Sequence, residues 1–211
     1  TVPVGVGALV CYGLGLGVYR EEDLFTQKPL LAKARDAFAA PLDAAWRVGV
    51  WTALFVPFVL VAELFCVAAF FVVPNALAVP FVLGLVALVE EAAKSLHVYA
   101  GFANARFART DRAALAVGVA SGIGFFCGEK LLLLTRLVGL PSLAAGRAAF
   151  GAAELGTGSL ALLVAPLVLH VGTASVSALG ARRSKRWYVG ALAVAVLVHA
   201  GYDYGVVSLL G

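Results

Sequence analysis

Apolar residues run in six long stretches along the chain, roughly 2–19, 48–73, 76–100, 113–138, 156–180 and 187–210. Short segments between them hold most of the charge. About 20 mostly apolar residues make a helix long enough to cross a bilayer. The pattern therefore predicts an all-α, polytopic transmembrane helix bundle of about six spans. Pro74 separates the second and third stretches and predicts a tight hairpin there. The first stretch is Gly-rich and has no basic segment before it, so it reads as a retained span. No internal repeat or low-complexity tail divides the chain, and 1–211 reads as a single integral membrane domain.

Composition agrees. The chain is 62% hydrophobic and only 13% charged, against about a half and a quarter in soluble domains. The polar connections are too short to form a separate soluble domain. The formal charge of +4 is no nucleic-acid signal, because the basic residues sit in loops between apolar stretches. Cys11, Cys66 and Cys127 are widely spaced in apolar segments and give neither a disulfide framework nor a thiolate metal pattern.

The loop charges predict an orientation. Segment 20–47 carries Arg20, Lys28, Lys33, Arg35 and Arg47; segment 101–112 carries Arg106, Arg109 and Arg112; segment 181–186 carries Arg182, Arg183, Lys185 and Arg186. The alternate connections hold only Arg147, with Arg136 at a helix end. The positive-inside rule places the three basic loops in the cytoplasm and both termini outside. Within 24–40, Leu30, Leu31, Ala34 and Phe38 share one helical face, which suits either an interfacial helix or a solvated loop.

Glycines mark close helix approaches. Gly118 and Gly122, Gly124 and Gly128, and Gly201 and Gly205 each have the small-xxx-small spacing that brings transmembrane backbones together. The second pair ends beside Glu129 and the third brackets Asp203, so the polar residues are expected on tightly packed helices.

Those polar residues are the anomaly. Glu90 and Glu91 are adjacent in an apolar stretch, followed by Lys94. Intramembrane ionisable groups are costly and mark functional sites by default. At 1.5 Å per residue, Glu90 and His170 lie roughly 15 Å from the basic end and His199 roughly 18 Å. Glu129 and Asp203 fall nearer the other face. Glu90, Lys94 and His97 share one helical face, so Lys94 is expected to neutralise Glu90 across one turn. Glu91 points about 100° away and requires another partner, such as a histidine of a neighbouring helix. Asp203 lies one turn after His199 and suits orienting its imidazole. His97 is expected near the interface, as are Tyr202 and Tyr204.

A carboxylate beside neutral imidazoles, in a cavity that admits water, suits general-base activation of that water. A donor aimed at the developing oxyanion stabilises the tetrahedral intermediate. Neither Cys127 nor Ser121 has a base positioned by the sequence to make it a nucleophile. Zinc is the alternative, held by Glu90, His170 and His199, although no HExxH motif is present. No other cofactor is called for.

The motifs and their order resemble the PrsW family of glutamic intramembrane proteases, in the superfamily of the CAAX prenyl endopeptidases. Its EExxK is matched by Glu90, Glu91 and Lys94, its FxxxE by Phe125 and Glu129, its lone His by His170, and its HxxxD by His199 and Asp203. The match covers 85–205, the motif-bearing core. The resemblance implies an intramembrane endopeptidase that cuts a membrane-associated protein without a cofactor. Glu90 would activate water, with Glu91 and Lys94 in support. His170 and His199 would bind water or the oxyanion, Asp203 would orient the last helix, and Glu129 takes the place that is histidine in the CAAX enzymes. One departure is Lys130, where the family pattern has Asn; an adjacent cation keeps Glu129 ionised and argues against its donating a proton. A PrsW-like enzyme would cut a single-pass regulator such as an anti-sigma factor, and a CAAX-like one a prenylated protein. EExxK favours the former. Two other classes stay open: a non-catalytic scaffold related to the superfamily, and a proton-relay or transport protein, against which stands the lack of an inverted repeat.

Overall fold

The computed structural model describes residues 5, 7–12, 28–68, 75–138 and 157–210. Among them the chain is all-helical: α1 (Leu30–Ala39), α2 (Ala45–Ala68), α3 (Asn75–Ala103), α4 (Asp111–Val138), α5 (Thr157–Arg183) and α6 (Lys185–Leu210). The protein is a polytopic helical bundle, as its apolar pattern predicts. Four helices, α2, α4, α5 and α6, are long and apolar enough to cross a membrane. The fifth long helix, α3, has its apolar run interrupted by Glu90, Glu91 and Lys94. The expected first span lies largely outside the described residues, as does the hairpin at Pro74.

The position of α3 explains how it tolerates charge. It packs against each of the other five helices named above, and so its middle faces protein. Irregular or charged positions at membrane depth survive where the bundle surrounds them.

Glycine decides the closest approaches. A Cβ on Gly118 would lie 2.6 Å from Ser175 Cα, and one on Gly122 would lie 2.5 Å from Val171 Cα, so α4 meets α5 backbone to backbone. A Cβ on Gly49 of α2 would lie 2.7 Å from the Ala120 carbonyl oxygen, and one on Gly128 would lie 2.8 Å from that of Ala53. Helix α4 is thus clamped between α2 and α5, through two of the three predicted glycine pairs. The third pair behaves differently: no atom lies within 4 Å of a Cβ on Gly201 or Gly205. The glycine face of α6 is therefore not a close approach to any described helix; Asp203, about 200° round the helix from both glycines, faces the site instead.

The basic connections meet at one end. Asn104 donates to the Arg35 carbonyl at 3.3 Å, and Arg109 donates to the Arg182 carbonyl at 3.0 Å. Arg182 also pairs with Asp111. The α3–α4 turn is closed by Arg106 N–H donating to the Gly101 carbonyl at 2.9 Å and Ala105 N–H to that of Phe102 at 3.2 Å. That is the Schellman arrangement, with Ala105 in the left-handed position at φ 54°. A core of Val48, Val98, Phe102, Val117, Ala178 and Tyr188 fills this end of the bundle. Residues 30–39 of the ambiguous segment form a helix, with Leu30 and Leu31 84% and 87% exposed.

Candidate functional site

The three depths estimated along separate helices converge. Donor atoms of Glu90 on α3, His170 on α5 and His199 on α6 lie within 4.8 Å of one another. Glu129 of α4 and Asp203 of α6 join them on the wall of a cavity of about 260 Å³. All seven residues expected at the site fall in this cluster, though in different roles.

Beneath the cavity lies a closed ion pair. Lys94 donates to Glu91 Oε1 at 2.5 Å, and both side chains are wholly buried. The expected pair with Glu90 is present only as the longer contact, Lys94 Nζ lying 4.0 Å from Glu90 Oε2, whose side chain keeps 15% exposure. Residues three and four apart on a helix are both within reach, so helix geometry alone does not choose. The neighbouring helices choose. Thr173 of α5 donates to Glu91 Oε1 at 2.9 Å, and Nδ1 of His199 on α6 lies 2.7 Å from the same oxygen. Glu91 thus finds the histidine partner its direction called for, together with the lysine. The Lys94 ammonium also sits 4.7 Å from the Phe125 ring centroid, on a face that attracts cations.

The ion pair sets the two imidazoles differently. Lys94 donates to His170 Nδ1, 2.9 Å away, which leaves Nε2–H as the outward donor, 3.3 Å from Glu129 Oε2. In its neutral form His199 donates its Nδ1–H to Glu91, which leaves Nε2 with a lone pair toward the cavity. That nitrogen is 3.5 Å from Glu90 Oε2 and 3.6 Å from Asp203 Oδ2. The cavity therefore presents one N–H donor and one bare nitrogen on opposite histidines. Glu90 Oε2 is buried and accepts no hydrogen bond among the described residues. Glu129 accepts from Lys130 at 3.2 Å, so the adjacent cation does pair with it.

Glu90 and Glu129 also line a second cavity of about 150 Å³, walled by Val56, Val59, Leu60, Glu63, Phe125 and Leu132. Glu90 is thus reached from two sides.

His97 is not interfacial. It is buried, with Nε2 2.9 Å from Thr52 Oγ1 and its ring stacked on Phe55. Thr52 lies 3.0 Å from Ser121 Oγ, which donates to the Lys94 backbone carbonyl at 2.7 Å. Ser121 thus has a packing task under α3. Sequence reasoning missed this network and Thr173 as well; Thr173, one turn after His170, carried the only readable signal.

The fit to a metal can be tested on the same donors. Tetrahedral zinc with bonds of about 2.0–2.2 Å puts its ligands roughly 3.4 Å apart. The widest pair would have to close by roughly 1.4 Å from its 4.8 Å limit, and His170 would have to release Glu129. The donor types suit zinc, and Glu90 Oε2 and His199 Nε2, 3.5 Å apart, already stand at about the zinc spacing.

No family model, curated protein or solved structure matches the chain.

Proposed function

We propose that the protein is a PrsW-like intramembrane endopeptidase in which Glu90 activates water against a peptide bond of a membrane-associated protein. One observation carries this reading: a buried carboxylate oxygen with no hydrogen bond, on a cavity wall, facing the bare nitrogen of His199. Buried unsatisfied polar atoms call for an explanation, and a water held between Glu90 and His199 supplies one.

The chemistry follows from the placement. Glu90 removes a proton from water as its oxygen bonds to the scissile carbonyl carbon. His170 Nε2–H, turned from Glu129, donates to the oxyanion that forms. The carbonyl then re-forms, the C–N bond breaks, and the proton on Glu90 passes to the leaving amine. Glu91 and Lys94 position both imidazoles from below without touching the reacting atoms. Asp203 steadies the last helix and the His199 edge. With the basic end of the bundle in the cytoplasm, the site lies within the bilayer, open to a membrane-anchored substrate such as a single-pass regulator or, second, a prenylated protein.

The test is Glu90→Gln with a membrane-tethered reporter. Loss of a general base costs about 10²–10⁴ in rate, so cleavage falls at least about 100-fold while thermal unfolding is unchanged. A variant that cuts at the wild-type rate overturns the proposal.

The convergence of Glu90, His170 and His199 also favours a second reading, hydrolysis assisted by bound zinc. It predicts stoichiometric metal in the purified protein by elemental analysis and loss of cleavage with a strong chelator. Full cleavage by metal-free protein eliminates it.

A further inference from the structure

A groove of about 430 Å³ opens on the bundle surface between α5 and α6, its wall beginning one to two helical turns beyond His170 and His199 toward the basic end. Val176 and Leu179 of α5 and Ala191 and Val194 of α6 wall it. Gly190 leaves it open, since no atom lies within 4 Å of where its Cβ would be. Val176 and Val194 are exposed, and both lie in helices apolar enough to cross a membrane. Apolar surface at that depth is filled by acyl chains.

Its mouth has the opposite character. Arg183 and Trp187 stand there, with the guanidinium 5.0 Å from the indole centroid. The adjacent Lys185 and Arg186 are exposed. Among the described residues no carboxylate pairs with Arg183, Lys185 or Arg186. Asp111, also at the mouth, is engaged by Arg182. Arg109 donates to the Arg182 and Arg183 carbonyls at 3.0 and 3.4 Å, which masks the negative end of α5. Ser184 Oγ accepts from Trp187 N–H at 3.4 Å, and the following helix begins with its positive end at the same mouth.

An acyl-lined slot that ends in cations no described carboxylate pairs with, beside a tryptophan, has one complementary occupant. We infer that this groove binds an anionic glycerophospholipid, tail between α5 and α6 and phosphate at Arg183. Charge complementarity selects the lipid class, and the apolar walls distinguish it from a free anion. The groove shares no residue with the proposed catalytic cavity, so the inference stands apart from the proteolytic reading.

The test measures retention of phosphatidylglycerol against phosphatidylcholine by the purified full chain, using native mass spectrometry. One basic residue near the surface corresponds to about a fivefold preference. Wild type is expected to retain phosphatidylglycerol about fivefold or more over phosphatidylcholine. Arg183→Gln brings the two close to parity. Gly190→Phe fills the slot and lowers retention of both lipids, a result a headgroup contact alone does not give. Arg112→Ala, a basic residue that does not line the groove, leaves the preference intact, and unfolding temperatures report the fold of each variant. Equal retention of the two lipids by wild type, or an unchanged preference in Arg183→Gln, overturns the inference. Displacement of the lipid by millimolar inorganic phosphate also overturns it, in favour of a simple anion site.

Discussion

Glu91 Oε1 lies 2.7 Å from Nδ1 of His199, and the imidazole proton on that nitrogen is fixed by the contact. His170 is set the other way, with its Nδ1 facing the Lys94 ammonium at 2.9 Å. Nitrogen-15 NMR of the imidazoles is expected to report an Nδ1–H tautomer for His199 and an Nε2–H tautomer for His170. With only three histidines in the chain, assignment by single substitution is direct. Identical tautomers at both positions would refute the division into donor and bare nitrogen.

Lys94 and Glu91 are wholly buried, so removing one charge strands the other. Lys94→Met is expected to destabilise the protein by about 3–5 kcal/mol. Adding Glu91→Gln to that variant recovers much of the loss, because no bare charge remains. Thermal unfolding in detergent measures both. A double variant no more stable than Lys94→Met alone contradicts the account, and neither is expected to cleave a reporter at the normal rate.

Gly122 supports His170 through the backbone: a Cβ there would lie 2.6 Å from the His170 carbonyl oxygen. Gly122→Ala forces α4 and α5 apart, at a cost of about 1–3 kcal/mol, and shifts His170 in the cavity. Gly201→Ala meets open space inside a helix and is expected to raise stability by about 0.4–1 kcal/mol. Equal effects of the two substitutions in an unfolding assay are incompatible with the packing described.

Ala105 adopts φ 54° at the helix stop before the basic turn. Glycine takes that conformation without the steric cost of a Cβ. Ala105→Gly is expected to raise stability by about 0.5–1 kcal/mol, the left-handed strain relieved less the added freedom of the unfolded chain. A drop in unfolding temperature would show that the turn does not require this geometry.

The helical class was legible because period and length suffice to recognise apolar helices. Depth was legible too, since rise per residue is constant; Glu90, His170 and His199 do share a layer. Partner choice was not. Lys94 is one turn from both acids, and its preference for Glu91 comes from Thr173 and His199 on other helices. His97 looked interfacial from its place near the end of an apolar run, yet α2 and α4 cover it. Small-residue spacing was a sound guide for α4 and misled at Gly201, because spacing names a face without saying what packs against it.

Sequence by itself determined that Glu90 and Glu91 stand together in an apolar helix, and that acid and imidazole groups lie at one depth on neighbouring segments. Those properties depend only on order along the chain and on helical rise. Tertiary structure decided which acid is sealed and which is open. Side chains one residue apart on a helix point about 100° apart, so one turns into packed neighbours and the other toward a cavity. Glu91 went to the ion pair and Glu90 to the cavity wall, a choice set by the helices that surround α3.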